Sequence, residues 1–232
     1  MAVGFTYSAE KQCPICLEKI KVTKIRSRLI KISQDYDFCV HYQDFNPYYY
    51  AIWVCPHCGY AADEAHFDKL KETDKEKIAN FLSKKEVKIQ YKEERTRVEA
   101  IAAFKLSIFF ADLIEAKPSR MAGLYLKLAW LYREAEETEK EKEVLVRALD
   151  YYDKSLSTER YPIGPMTDNA VMYLIGALSY KTGNLEQATQ YLSRIVGSEN
   201  ARRESNIYNK ARDLWQDIRK EKEETEMEKK AQ

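Results

Sequence analysis

The hydrophobic pattern of this chain changes its period once. In residues 1–62 the signal is short and alternating. Ile20, Val22 and Lys24 alternate with Lys19, Lys21 and Thr23, Leu29, Ile30 and Ile32 follow, and Tyr48 to Val54 is an aromatic and β-branched run between Asn46-Pro47 and Cys55-Pro56. Such runs predict strands. Residues 63–91 read as a connector with short helices, where Thr73 and Glu76 have capping-box spacing ahead of Ile78, Phe81 and Leu82. From residue 92 the period is helical. Val98, Ile101, Ala102, Leu106, Phe109 and Leu113 mark a wide apolar face, Pro118 stops that helix, and Ser119 is placed to cap the next, with Leu124, Leu128, Leu131 and Tyr132. Thr138 and Glu141 form a second capping box before Val144, Leu145, Ala148, Leu149 and Tyr152. A loop at Tyr161–Pro165 precedes a helix that ends near Thr182, where Gly183 suits the left-handed position after a helix. Asn184 and Gln187 form a third box ahead of Ala188, Leu192 and Ile195. A last helix starts near Ser198, and its charged tail, Arg219 to Gln232, has little to bury and is expected to fray.

The composition agrees with a helix-rich protein. Of 232 residues 45% are apolar and 32% charged, while seven glycines and six prolines are too few for a turn-rich β sandwich. The 38 Lys/Arg and 37 Asp/Glu nearly cancel, which argues against the whole chain as a nucleic-acid or membrane binder. The first twelve residues have neither a basic nor an apolar stretch of the kind a signal peptide needs, and no apolar run approaches the ~18 residues that span a bilayer. The expected location is the cytoplasm, where thiols stay reduced and clustered cysteines point to metal or burial rather than disulfides.

All five cysteines fall within the first 58 residues. Cys13-Pro-Ile-Cys16 and Cys55-Pro-His-Cys58-Gly59 are the strongest local signals. Two residues between thiolates let a tight turn aim both sulfurs at one ion, and two such turns complete a closed tetrahedral site, so Cys13, Cys16, Cys55 and Cys58 are the expected ligands of a structural Zn2+. The 38 residues between the pairs exceed those of a simple zinc ribbon and fit one with an inserted hairpin. Buried thiols without metal, or a redox pair, are the other readings. Cys39, His41, His57 and His66 lie nearby and leave open a substituted ligand or a second ion. Charge is polarised here: residues 1–33 carry seven Lys/Arg against two Asp/Glu, whereas residues 34–68 carry six acids and no Lys/Arg. The simplest expectation is that the two segments pair within the fold.

Residues 169–202 resemble a tetratricopeptide repeat, a unit of 34 residues folded as two antiparallel helices. Ile175-Gly176 stands where the motif has Leu-Gly, Gly183-Asn184 fits the turn, and Ala188 fits the small residue of the second helix. Weaker matches precede it: Ala100, Phe104 and Ser107 in one helix, Leu128, Ala129 and Tyr132 in another, whose partner runs from Lys140 to Ser155. Tyr208, Ala211, Leu214 and Trp215 read as a closing cap. An ordinary helical bundle is the alternative. The predicted architecture is therefore mainly α: a β-rich zinc-ribbon-like module (1–62), a helical connector (63–91), and a tetratricopeptide-like array of helical pairs (92–232).

Knuckle one, Asp35-Tyr-Asp37, Asn46-Pro47-Tyr-Tyr-Tyr50, Val54-Cys-Pro-His-Cys-Gly-Tyr-Ala61, Leu128-Ala-Trp-Leu-Tyr-Arg133 and Tyr173-Leu-Ile-Gly176 together resemble a bacterial family known as domain of unknown function 2225. The resemblance runs over nearly the whole chain. It implies a bacterial cytosolic protein with a zinc-ribbon-like front and a tetratricopeptide-like back, and it brings no activity.

Three function classes follow. A non-catalytic protein-binding adaptor, contacting its partner through the helical array, is the leading expectation. Lys105, Lys127, Arg133 and Arg147 are the basic residues available to that face. A nucleic-acid binder would use Lys19, Lys21, Lys24, Arg26, Arg28 and Lys31, with Tyr36, Phe38 and Tyr42 for stacking. An enzyme would have to draw on Asp35, Asp37, His41 and Tyr48–Tyr50. No phosphate loop, nucleophile motif or zinc-protease helix accompanies them, and the two aspartates suit turns.

Overall fold

The computed structural model describes residues 4–83 and 94–231. Six short strands come first: β1 (Thr6–Gln12), β2 (Lys19–Ile25), β3 (Lys31–Gln34), β4 (Val40–Tyr42), β5 (Ile52–Val54) and β6 (Ala61–Asp63). They pair as three antiparallel two-stranded sheets, β1–β2, β3–β4 and β5–β6. Seven helices follow among the described residues: α1 (Glu72–Leu82), α2 (Arg97–Leu113), α3 (Pro118–Glu134), α4 (Thr138–Thr158), α5 (Asp168–Thr182), α6 (Leu185–Val196) and α7 (Ser205–Ala231). The fold is thus mainly helical behind small β hairpins. None of the described helices is long and apolar enough to cross a membrane.

The chain forms two compact units, Met1–Gln34 with Val40–Val144, and Asp35–Cys39 with Leu145–Gln232. These units cut across the segments 1–62, 63–91 and 92–232, because helices as well as hairpins build the first unit. There the alternation in β2 buries Ile20 and Val22. β5 is buried along its whole length, with Ile52 and Trp53 almost fully enclosed. α2 lies against β5 and β6, and also against α3. Tyr60, Phe67 and Phe110 form the aromatic contact, with ring centroids 5.2 and 5.5 Å from Tyr60.

Several sequence expectations change in the first unit. The run 48–54 is not one strand. Pro47–Tyr50 is a 3-10 helix, because Asn46 accepts from the Tyr48 N–H at 2.9 Å and Pro47 fixes the first turn, and only Ile52–Val54 is extended. α1 starts at Glu72, so Thr73 lies inside it, and α3 starts at Pro118 after Lys117, so Ser119 is not its cap. A capping box that the reading passed over opens α2: the Thr96 hydroxyl accepts from the Glu99 N–H at 3.3 Å and the Glu99 carboxylate accepts from the Thr96 N–H at 2.7 Å. Arg133 Nε also donates to the Glu141 carboxylate at 2.8 Å. The largest correction concerns the face of α2. Val98 is 74% exposed and Phe109 42%, while Ala100, Ala103, Phe104, Ser107, Phe110 and Ala111 are buried. α2 is apolar nearly all round, and the side that packs is the one carrying Phe104 and Phe110 beside Ala100, Ala103, Ser107 and Ala111.

In the second unit α5, α6 and α7 pack on one another around Tyr173, Ala177, Leu192, Ile195 and Leu214. Gly183 has φ 90°, and Asn184 accepts from the Gln187 N–H at 3.1 Å, so this turn forms as the sequence predicted. A Cβ on Gly176 would lie 2.8 Å from Leu192 Cγ, so α5 and α6 meet where only hydrogen fits. The 35–39 segment belongs to this unit, with Phe38 packed 5.2 Å from the Tyr173 ring. The tail expected to fray is helical to Ala231.

Candidate metal centre

Both knuckles occupy hairpin loops, one joining β1 to β2 and the other β5 to β6. Their backbones follow one scheme. The Cys13 N–H donates to Glu18 O at 2.9 Å and the Leu17 N–H to Cys13 O at 3.0 Å. In the second loop the Cys55 N–H donates to Tyr60 O at 2.8 Å and the Gly59 N–H to Cys55 O at 2.9 Å. The residue after the second cysteine must then turn left-handed. Gly59 does so at φ 80° without strain, and Leu17 does so at φ 63° despite its Cβ. The Gln12 side-chain amide fastens the first loop by donating to Leu17 O at 3.0 Å.

These loops bring the four predicted cysteines together. The Sγ atoms of Cys13, Cys16, Cys55 and Cys58 all lie within 4.8 Å of one another. Cys13 and Cys58 are 3.7 Å apart and Cys16 and Cys55 3.6 Å, each contact joining one knuckle to the other. A tetrahedron with metal–sulfur bonds of ~2.3 Å has edges of about 3.8 Å, so the donor set fits such an ion in number, kind and spacing. Cys13 and Cys55 are fully buried, while Cys16 and Cys58 are partly exposed. As bare thiols the group would hold protons unevenly. Hydrogen bonds from Cys13 and Cys58 push Cys55 down, whereas Cys13 is pushed up to about 12, chiefly by its bond to Cys55, and Cys58 is pushed up chiefly by its bond to Cys13. A cation among them removes that frustration by favouring the thiolate at every position.

The surroundings hold the hairpins in place. Lys11 and Lys24 each lie 5.5 Å from the Trp53 ring centroid. Lys24 pairs with Glu64 at 2.7 Å and Lys11 with Asp68 at 3.4 Å, so basic and acidic segments do meet. Asp63, at the end of β6, accepts from Arg120 Nε of α3 at 3.3 Å and lies 2.6 Å from His66 Nδ1. Burial acts to raise the Asp63 carboxyl, but the His66 hydrogen bond and the charge of Arg120 leave it below its ordinary value.

The cluster on the two knuckle loops is made of the four thiols, and His57 is exposed on its loop. Cys39 and Asp37 are buried in the 35–39 turn and His41 is exposed on β4. The Tyr48 hydroxyl accepts from the Val40 N–H at 2.9 Å, and its ring lies 4.8 Å from that of Trp130. Arg95, which the sequence reading did not single out, donates to Tyr49 O at 3.1 Å and Ile52 O at 2.6 Å, and its N–H donates to the Tyr50 hydroxyl at 3.2 Å. Of the stacking candidates, the Tyr36 hydroxyl donates to Asp217 at 2.8 Å and Phe38 is packed on Tyr173. Lys105 lies 5.9 Å from the Tyr132 ring centroid, and Arg133 is held by Glu141.

The family model described as uncharacterized protein conserved in bacteria (DUF2225) matches residues 6–218. The chain is also 24% identical to a protein of Borreliella burgdorferi described as an uncharacterized protein, over 93% of this chain and 96% of that relative. No solved structure matches it. The chain belongs to the DUF2225 family.

Proposed function

We propose that this DUF2225 protein is a cytoplasmic, non-catalytic interaction protein, with Zn2+ as a structural ion between two knuckles and stacked tetratricopeptide-like helical pairs as the partner-binding part. The observation that carries the metal reading is the convergence of four sulfurs within 4.8 Å, donated in pairs by two hairpin loops. Cys13, Cys16, Cys55 and Cys58 would hold the ion, and four thiolates leave no position for water or substrate. The ion would cross-link the two knuckle loops, since two-stranded sheets are each too small to persist alone.

The helical reading rests on the α5–α6 pair. Its two-residue turn at Gly183-Asn184 and its close approach at Gly176, Ala188 and Leu192 suit a repeat unit. Protein binding by such an array is an argument from fold, not from site chemistry. Standard interfaces bury ~800 Å² per partner, which stacked helices can offer more readily than short hairpins. The test is recovery of partners from native cytosol with and without nuclease. Reversing Lys105, Lys127 and Arg147 to glutamate should weaken recovery while leaving the melting temperature nearly unchanged, and reversing Lys19, Lys21 and Lys24 should do less. The adaptor reading fails if only the second set abolishes recovery, or if nuclease does.

A further inference from the structure

The β3–β4 hairpin gathers a set of donor side chains apart from the four thiols. Beyond the irregularity between Lys31 and Ser33 its ladder is regular. Ser33 lies opposite His41 and Gln34 opposite Val40, and the Asp35 N–H donates to Cys39 O at 2.8 Å, so Asp35 faces Cys39. The residues between them close the turn: the Phe38 N–H donates to Asp35 O at 3.1 Å, and Phe38 is left-handed at φ 67°. Side chains directly opposite one another in an antiparallel pair share a face, and so do residues two apart on one strand. Asp35, Cys39 and His41 therefore stand on one side of the hairpin. A carboxylate oxygen of Asp35, the Cys39 Sγ and a His41 ring nitrogen all lie within 4.8 Å of one another. Cys39 is buried, Asp35 half-buried and His41 exposed, so the group is rooted in the fold at one end and open to solvent at the other.

We infer that Asp35, Cys39 and His41 form a second Zn2+ site, with three protein ligands and one position open to water. The donor atoms choose the ion. A thiolate and an imidazole beside one carboxylate suit zinc, whereas calcium and magnesium take oxygen ligands. Bonds of ~2.3 Å to sulfur and ~2.0–2.2 Å to nitrogen and oxygen give tetrahedral edges of about 3.4–3.6 Å, which small rotations of the exposed His41 and half-buried Asp35 side chains can reach. Solvent access at His41 supplies the entry path such a site needs. Three ligands, one of them on the surface, hold an ion less firmly than four thiolates do, so this site fills from added metal while the knuckles keep theirs. The two sites also differ in kind: the four-thiol centre is closed, and this one leaves a coordination position free. The same three residues could stand as an aspartate–histidine pair beside an inert buried thiol, and the experiment separates that arrangement from a metal site. The site is distinct from the four-thiol centre and does not depend on it.

The experiment titrates Co2+, a spectroscopic stand-in for zinc, into the full chain purified with its own zinc and freed of loose metal by gel filtration. Saturable uptake of one further ion is expected, with a thiolate-to-cobalt charge-transfer band in the near ultraviolet. Cys39→Ser should abolish that band. His41→Ala and Asp35→Asn should each weaken uptake roughly tenfold or more, the least that loss of a direct ligand costs. His41→Ala changes an exposed residue, so an unchanged melting temperature without cobalt, and unchanged zinc content, would show that it folds with its knuckles filled. The inference is overturned if no cobalt binds, which leaves the aspartate–histidine pair, or if uptake is the same in Cys39→Ser and His41→Ala as in the wild type. Failure of the four-thiol reading looks different: the protein would arrive without zinc, whatever stands at positions 39 and 41.

Discussion

The hairpins of residues 6–63 and the α5–α6–α7 group solve the same problem with different means. Each hairpin has few residues to bury, and the short strands β5 and β6 have three apiece. Two of their three loops converge on four sulfurs, and the order of the region is concentrated at one point. The helical group has no cysteine and no comparable point. Its order is spread over close contacts such as Gly176 against Leu192, supported by Ala188, Ile195 and Leu214. A concentrated device should fail all at once when one member is removed, while a distributed one should lose stability in increments.

The largest expected effect comes from the concentrated device. Chelation of zinc, or Cys55→Ser, should remove on the order of 10 kcal/mol of coupled binding and folding free energy from the hairpins. Near-ultraviolet dichroism from Trp53 and Tyr60 should collapse, while far-ultraviolet helical signal from α5–α7 persists. Equal loss of both signals would break the comparison. Next, Gly176→Ala should destabilise by ~1–3 kcal/mol, since the new methyl meets Leu192 at 2.8 Å, and urea unfolding of the helical signal would measure it.

Arg120→Met should cost about 1–3 kcal/mol at neutral pH by leaving Asp63 with less support. Its sign with pH is fixed: Asp63 is depressed in the folded state, so its contribution is present above the unfolded carboxylate value and lost as pH falls through the folded one. The gap between wild type and variant should therefore shrink in acid, which denaturation at a series of pH values would follow. The smallest effect is at Leu17. It is 66% exposed and left-handed, so Leu17→Gly should change stability by no more than ~1 kcal/mol, relief of strain being offset by backbone entropy. Gly59→Ala should instead destabilise by about 1 kcal/mol, and the two melting temperatures should move apart.

What the sequence made legible follows the same division. The four clustered thiols stand out because a two-residue spacing restricts where the sulfurs can go, and Gly183 and Asn184 do because a turn dictates residue type. The face of α2 does not. Counting apolar residues favours Val98, Ala102 and Phe109, whereas the repeat pattern favours Ala100, Phe104 and Ser107, the ones that are buried. On a helix apolar nearly all round, hydrophobicity alone does not mark the packed side. The 3-10 helix at Pro47–Tyr50 was hidden because strand propensity of the tyrosines outweighed the cap at Asn46. The Thr96–Glu99 box has cap spacing in the sequence but falls inside a stretch whose apolar period already reads as helical from residue 92. Arg95 and the left-handed Leu17 carry no sequence signal of their own, since both depend on backbone contacts formed only in the fold.

The central claim is that four thiolates hold one zinc ion and thereby the hairpins. Elemental analysis of chelator-free protein, with protein concentration from amino-acid analysis, tests it most directly. The account requires about one zinc per chain, falling together with the near-ultraviolet signal in Cys13→Ser and Cys55→Ser. Less than about half an equivalent in the wild type, or an intact signal in metal-free protein, would contradict it.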